Sequence, residues 1–418
     1  MSSIPLDRAN GPSPSALKTT SRVSRFSIFV CFLVALIDGY DTLMLSFVAP
    51  LISKEWGMPA GAFGKVFAAS FAGAVVGAFA VGAAADRFGR RRLLLVSILV
   101  AGGFILLSAT SSTPEQLMMW RFLSGIGLGG AIPTISALAA EHAHPARRSA
   151  TVSRMFLGFP IGAVVGGAIT AALMQRLGWH GIFIGGGILA LALLPLVYAI
   201  TEPGREPATT DAAPATAAQP IQPLAELFAD GRAAGTVLIA TAAFMILLVS
   251  YFLLSWTPSV LAMNGMSAQR SAMAGVMLNV GGVAGAFAMS FVVARRSPFG
   301  PVALCLAVGA ALVPFFGFHI VGSELAAFCL VFAIGLLVIG GQMNIPALCV
   351  DYYPASVRAS GVGLSMSVGR IGSIVGPLVG GLLVGAQLPW GWLFALAAIP
   401  ALIAASALGW VARSRRRD

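Results

Sequence analysis

Charge is the scarcest property of this chain. Only 10% of its 418 residues are Asp, Glu, Lys or Arg, against about 25% in soluble domains. With 58% hydrophobic residues and a mean hydropathy of +0.90, a soluble globular protein is excluded. Cysteine is scarce too. Cys31, Cys305, Cys329 and Cys349 lie in or at the ends of apolar runs, where they read as small packing residues. Their spacing supplies neither a disulfide framework nor a metal site. The four histidines are scattered, with His142 and His144 in one loop and His180 and His319 at run ends. There is no nucleophile–base set and no cofactor loop, which argues against an enzyme and predicts no cofactor. Nothing at the start reads as a cleaved leader. Residues 1–25 are polar and rich in Ser and Pro, hence expected to be disordered, and the first apolar run is too long for a signal segment.

What fills the chain is apolar runs of about 20 residues, the length that crosses a bilayer core. Twelve are expected, at roughly 26–50, 65–85, 93–110, 115–139, 150–174, 181–201, 234–258, 270–293, 301–318, 325–347, 360–385 and 390–412. The 49 glycines suit close helix packing in lipid. The net charge of +11 is unevenly placed. With both termini cytoplasmic, nineteen basic residues fall inside, including Arg90 to Arg92 and the tail 413–418, and four outside (Lys54, Lys65, Arg176, Arg270). That bias sets the orientation. It also accounts for the basic charge, so no nucleic-acid partner is inferred.

Residues 202–233, rich in Pro, Ala and Thr, read as a cytoplasmic linker between bundles at 26–201 and 234–412. The two halves repeat. Ile161-Gly162-Ala163-Val164-Val165-Gly166 returns as Ile371-Gly372-Ser373-Ile374-Val375-Gly376, 210 residues later, and at the same offset Glu141 maps to Asp351 and Arg148 to Arg358. The expected fold is therefore all-α: twelve transmembrane helices in two pseudo-symmetric six-helix bundles, with a site at the midplane between them, as in secondary transporters.

Ionisable residues inside the runs are costly and mark candidate functional positions. Asp38 and Asp41 stand in the middle of the first span, three residues apart and so on one helix face. Two carboxylates so close cannot easily both be charged, which suits a proton carrier. Arg121 enters with the fourth span, about 9 Å from the outer boundary at 1.5 Å per residue. The two acids lie about 18–22 Å from the inner boundary by the same measure, at nearly the same depth in a core of about 30 Å. A pair between Arg121 and Asp38 or Asp41 is expected. Arg370 in span eleven lies about 15 Å deep, beyond easy snorkelling. Its fork matches a carboxylate, either a substrate's or a protein's. Tyr40, Phe159, Tyr251, Phe252, Trp256, Asn279, Gln342 and Asn344 are further cavity candidates.

Asp86-Arg87-Phe88-Gly89-Arg90-Arg91-Arg92 joins spans two and three. It is similar to the signature loop of the major facilitator superfamily, which implies a conformational latch with Asp86 facing Arg90. Glu141 with Arg147 and Arg148, and Asp351 with Arg358, are expected to form gating ion pairs at the inner ends of spans four and ten.

Taken together, Asp38-Gly39-Tyr40-Asp41, the Asp86–Arg91 loop, Arg121-Phe122-Leu123-Ser124-Gly125, Phe156 to Gly162, Ser255-Trp256-Thr257-Pro258, Tyr353-Pro354, Arg358 to Gly363 and Gly369 to Pro377 resemble the aromatic acid:proton symporter family of that superfamily. The resemblance spans about 26–412. It implies inward transport of a small aromatic carboxylate, such as a hydroxybenzoate, with the proton gradient as energy source and no cofactor. It implies a monomeric, multi-pass protein of the bacterial inner membrane. Asp38 and Asp41 match the family's span-one acids. Arg121, Arg370, Tyr40, Phe159, Trp256 and Asn344 are expected at the substrate, and Asp86, Arg87, Arg90, Glu141, Arg148, Asp351 and Arg358 at the gates. Sugar uptake, drug efflux and a transporter-like sensor are the alternatives.

Overall fold

A computed structural model describes residues 14–144, 148–200, 224–229, 231–293, 295–319 and 323–415, with only the backbone described at 14–24, 82, 83, 85–87, 149, 150 and 224. All regular structure among these residues is helical. Eleven helical stretches are long and apolar enough to cross a membrane. One of them, Thr151–Tyr198, has 48 residues, or about 72 Å of helix, more than twice an apolar core of about 30 Å. Gly178 divides it, at φ 64° and ψ −179°, a conformation open to glycine and costly for other residues. The chain therefore crosses twelve times, and both ends emerge on one side, here the terminal side.

The spans are α1 (Pro14–Trp56), α2 (Phe63–Phe88), α3 (Arg90–Ser108), α4 (Pro114–Glu141), α5 (148–177) and α6 (179–198), then α7 (Ala233–Met263), α8 (Ala268–Val293), α9 (Phe299–Phe318), α10 (Glu324–Tyr352), α11 (Arg358–Gly385) and α12 (Trp390–Ser414). The first helix starts at Pro14, inside the stretch expected to be disordered. A proline suits a first helical turn, and no breaker follows before Pro50. α10 is interrupted by a π-helical stretch, Gly335–Ile339, and by a turn at Met343 and Asn344 ahead of Pro346. Most of the linker, 201–223, and the tail 416–418 lie outside the described residues. Large apolar side chains such as Phe79, Leu99, Ile188, Phe287, Leu304 and Leu382 are exposed around the outside. An apolar surface this extensive belongs in lipid, and the chain is a multi-pass membrane protein.

The sequence repeat is a packing device. In the first half a Cβ on Gly162 would overlap the Leu36 carbonyl, and one on Gly39 would overlap the Phe159 carbonyl, so α1 and α5 touch backbone to backbone. In the second half Gly372 and Gly376 sit in the same way on Phe244 and Leu248 of α7. α2 and α4 are held together likewise, through Gly73, Gly77, Gly125 and Gly129. Each half is thereby rigid. Between the halves, the close contact is on the side away from the termini: Gly61, in the short turn Ala60–Ala62, and Gly64 at the start of α2 meet Gly381 and Gly385 at the end of α11.

Gly372→Val should force α7 and α11 apart, at about 1–3 kcal/mol or more for an overpacked site. A lower thermal midpoint in detergent is the expected result. Gly363→Ala on the same helix, where a Cβ meets nothing within 4 Å, should leave the midpoint unchanged.

Candidate functional site

Four ionisable residues lie within the spans near the middle of the molecule, and the fold treats them as two unlike pairs. Arg121 on α4 reaches Asp41 on α1. Its Nη1 and Nη2 donate to Oδ1 and Oδ2 at 2.7 Å each, Nη2 also to the Asp41 backbone oxygen at 3.3 Å, and Nε to Ser70 Oγ on α2 at 3.3 Å. Its guanidinium also lies 5.9 Å from the Phe183 ring centre on α6. The side chains are 1% and 3% exposed. This is the two-pronged geometry that makes an arginine–carboxylate pair strong. It answers which of the two acids Arg121 meets.

Asp38, one turn earlier, is left out of that pair. It is 9% exposed and interacts electrostatically with Asp41 and with Arg370 of α11. Among the described residues its carboxylate makes no ion pair and no hydrogen bond, and the partly exposed Arg370 guanidinium makes none either. The two charges therefore face each other across the boundary between the halves without closing on one another. Tyr251 of α7 feels both.

Between this centre and the far side stand two aromatic bridges. Tyr251 packs edge to face on Phe71 of α2, ring centres 4.7 Å apart at 78°; one to two turns farther out, Trp256 packs on Phe67, 5.6 Å apart at 85°. Trp256 is fully buried and its Nε1 donates to the Pro377 carbonyl of α11 at 3.1 Å. Beyond the bridges opens a vestibule of about 510 Å³ lined by Pro50, Lys54 and Phe63 from one half and Ser259, Met263 and Met266 from the other.

The remaining expected substrate residues are dispersed. The Tyr40 ring lies between α5 and α6 against Gly166 and Gly186, with its hydroxyl 3.5 Å from Thr170 Oγ1, beside an apolar crevice of about 220 Å³. Phe159 is half-buried at the α1–α5 crossing. Asn344 is buried at the break in α10 and donates to the Gly340 carbonyl at 2.8 Å.

At the terminal side the ion-pair partners differ from those expected. Glu141 pairs with Arg90, which opens α3, while Arg148 is exposed and makes no ion pair with a described residue. Asp351 pairs with Arg415 at the end of α12 and accepts from Ser297 Oγ at 2.9 Å. Arg358 instead donates from Nε to the Tyr353 carbonyl at 3.3 Å. The physical reason is neighbourhood: α3 lies against α4, and α12 packs on α9 and α7 so that Arg415 beyond its end reaches Asp351, whereas the arginine seven residues downstream is carried away by the next helix. Arg147 and the side chains of Asp86 and Arg87 lie outside the described residues. Both the Arg90–Glu141 and the Arg415–Asp351 pairs join parts of the same half.

Ser70, Phe67 and Phe71 were not among the expected residues. The recurrence Phe63, Phe67, Phe71 at every fourth position of α2 was the available signal, a single helix stripe.

The family description of the Major Facilitator Superfamily matches residues 31–369. The chain is 33% identical over 408 residues to a gallate transporter of Pseudomonas putida, covering 91% of this chain and 90% of that one. It is 32% identical over 421 residues to the 4-hydroxybenzoate transporter PcaK of Acinetobacter baylyi, covering 93% and 91%. In three dimensions it is similar to a bacterial homologue of the human lysosomal transporter Spinster in an inward-facing, unoccupied conformation, with a TM-score of 0.74, 15% identity and 95% of each chain covered. It is also similar to a mutant of the nucleoside transporter NupG, with a TM-score of 0.73, 14% identity, and 92% and 98% covered.

Breaking the buried pair should be costly. Arg121→Gln leaves Asp41 buried without its cation and should lose about 3–5 kcal/mol of stability, read as a lower thermal midpoint. Adding Asp41→Asn should recover part of that loss, because no charge is then left alone.

Proposed function

The chain belongs to the Major Facilitator Superfamily and, within it, to the aromatic acid:proton symporters; it is a transporter and not an enzyme. On that premise we propose that it imports a small aromatic carboxylate of the hydroxybenzoate type together with protons, by alternating access. The observation that carries this reading is the unclosed charge pair. Arg121 and Asp41 satisfy each other, while Arg370 keeps its fork open and Asp38 has no hydrogen-bond partner among the described residues. A sugar carrier would have no need of an uncommitted cation within its spans.

In this mechanism the substrate carboxylate docks on Arg370 with two parallel hydrogen bonds. Asp38 then loses its counter-charge, and a buried carboxylate without one is costly. Taking up a proton removes that cost. Substrate and proton thus enter together, and the loaded site carries no net charge as the halves rock. Arg121 serves by holding the Asp41 carboxylate in place rather than by touching the substrate. Trp256 belongs to the far-side seal, and Phe159 and Asn344 are proposed ring-side contacts. Positive charge collected on the terminal side orients that side to the cytoplasm, so the seal is on the outside of a bacterial inner membrane. The protein works as a monomer, driven by the proton gradient and without a cofactor.

Uptake of labelled 4-hydroxybenzoate into vesicles should depend on an inward proton gradient. Asp38→Asn imitates the protonated acid, so it should lose accumulation while still exchanging internal for external substrate. Full accumulation by that variant would refute the carboxylate's role. Arg370→Lys lacks the fork and should raise the half-saturating concentration about tenfold, or about 1.4 kcal/mol. Unchanged kinetics would remove Arg370 from the site.

A further inference from the structure

The outer and inner aromatic bridges differ in one respect. Trp256 in the outer bridge has its only polar hydrogen engaged by the Pro377 carbonyl. Tyr251 in the inner bridge has a hydroxyl that no described residue hydrogen-bonds, on a partly exposed side chain that interacts electrostatically with both Arg370 and Asp38. A phenol hydroxyl in apolar surroundings costs about 1–3 kcal/mol if left unpaired, so it takes its partner from whatever occupies the site.

Tyr251 and Arg370 belong to one rigid body, because α7 and α11 are locked through Gly372 and Gly376. Phe71 and Asp38 belong to the other half. The ring contact Tyr251–Phe71 and the charge contact Arg370–Asp38 are therefore two links across the same boundary, joined at Tyr251. The charged groups that act on Asp38 are Asp41 on its own helix, itself held by Arg121, and Arg370; those that act on Tyr251 are Arg370 and Asp38.

We propose that Tyr251 is a positioning residue that makes closure of the far side conditional on the state of the Asp38–Arg370 site, its ring forming the seal while its hydroxyl reads the charges. With the site empty and Asp38 charged, the hydroxyl leaves the place it holds in this structure to donate to the Asp38 carboxylate, and the ring is drawn off Phe71 towards α1. With a carboxylate on Arg370 and a proton on Asp38, the hydroxyl donates to the substrate, and the ring settles into its edge-to-face place on Phe71. Closure thereby follows loading rather than preceding it. The proposal rests on the transport reading above, and its test includes an arm that needs no substrate.

The test is a distance measurement by double electron–electron resonance. Spin labels are placed by Glu115→Cys and Leu325→Cys, exposed positions at the far ends of α4 and α10, with the four native cysteines replaced by serine. In the parent protein the short, far-side-closed distance should gain population on acidification and again on adding 4-hydroxybenzoate. Tyr251→Phe keeps the ring and the bridge but should flatten both responses. Phe71→Leu keeps the hydroxyl and should lower the closed population at every pH while preserving its pH response. A Tyr251→Phe variant that tracks the parent overturns the proposal, as does a Phe71→Leu variant with the parent's closed population. A parent that responds to acid but not to 4-hydroxybenzoate or benzoate refutes the substrate reading instead, and the acid arm still decides the role of Tyr251.

Discussion

An ionised side chain in the apolar core of a membrane must be neutralised, and the interior of this protein is arranged around that demand. Four such residues are present, and they are matched one to one. Arg121 and Asp41 belong to the same half and close on each other with three hydrogen bonds, with Ser70 taking the remaining Nε donor. Asp38 and Arg370 belong to different halves and stay within electrostatic reach without contact. The first pair is a fixture; the second is an unfinished bond whose completion depends on what enters between the halves. Placing both acids on one turn of α1 puts the fixture beside the working carboxylate, so Asp38 sits next to a neighbouring charge that does not move.

Rigid halves are a condition of this arrangement. A carboxylate and a guanidinium that face each other across a boundary are useful only if each is held to its own body. The glycine contacts supply that rigidity, α1 on α5 and α7 on α11, by letting backbones touch where a side chain would separate them. The packing glycines are repeated between the halves, but the chemistry is not. The position equivalent to Arg370 at the repeat offset is Pro160, and the acids of α1 have no carboxylate counterpart on α7, whose polar contribution to the centre is Tyr251. Symmetry serves the scaffold, and its breaking makes the site.

The same division appears at the two faces. On the terminal side Arg90–Glu141 and Arg415–Asp351 each brace one half internally. On the far side, contacts run between halves: glycine against glycine at the ends of α2 and α11, then the two aromatic bridges. On the far side the two halves are therefore in direct contact, backbone on backbone and ring on ring.

Much of this was legible in the sequence. Hydropathy and length determined the number of crossings, because a bilayer of fixed thickness demands about 20 apolar residues each time. The 210-residue repeat pointed to the two halves, and its Gly162/Gly372 positions turn out to be the packing contacts within them, while the dividing role of Gly178 came only with the structure. Asp38, Asp41, Arg121 and Arg370 stood out because charge is rare in such segments, and counting helical rise even matched the depths of Arg121 and the acids. What distance along a helix does not contain is direction around it, or which other helix lies alongside. Only the tertiary structure decided that Arg121 takes Asp41 and leaves Asp38, since both acids share a face and a depth. It decided that Glu141 and Asp351 meet Arg90 and Arg415 rather than Arg148 and Arg358, since the partner is set by helices adjacent in space and remote in the chain. It alone joined Phe67 to Trp256 and Phe71 to Tyr251, residues of different halves, because contacts across the boundary exist only once two bodies are packed against each other.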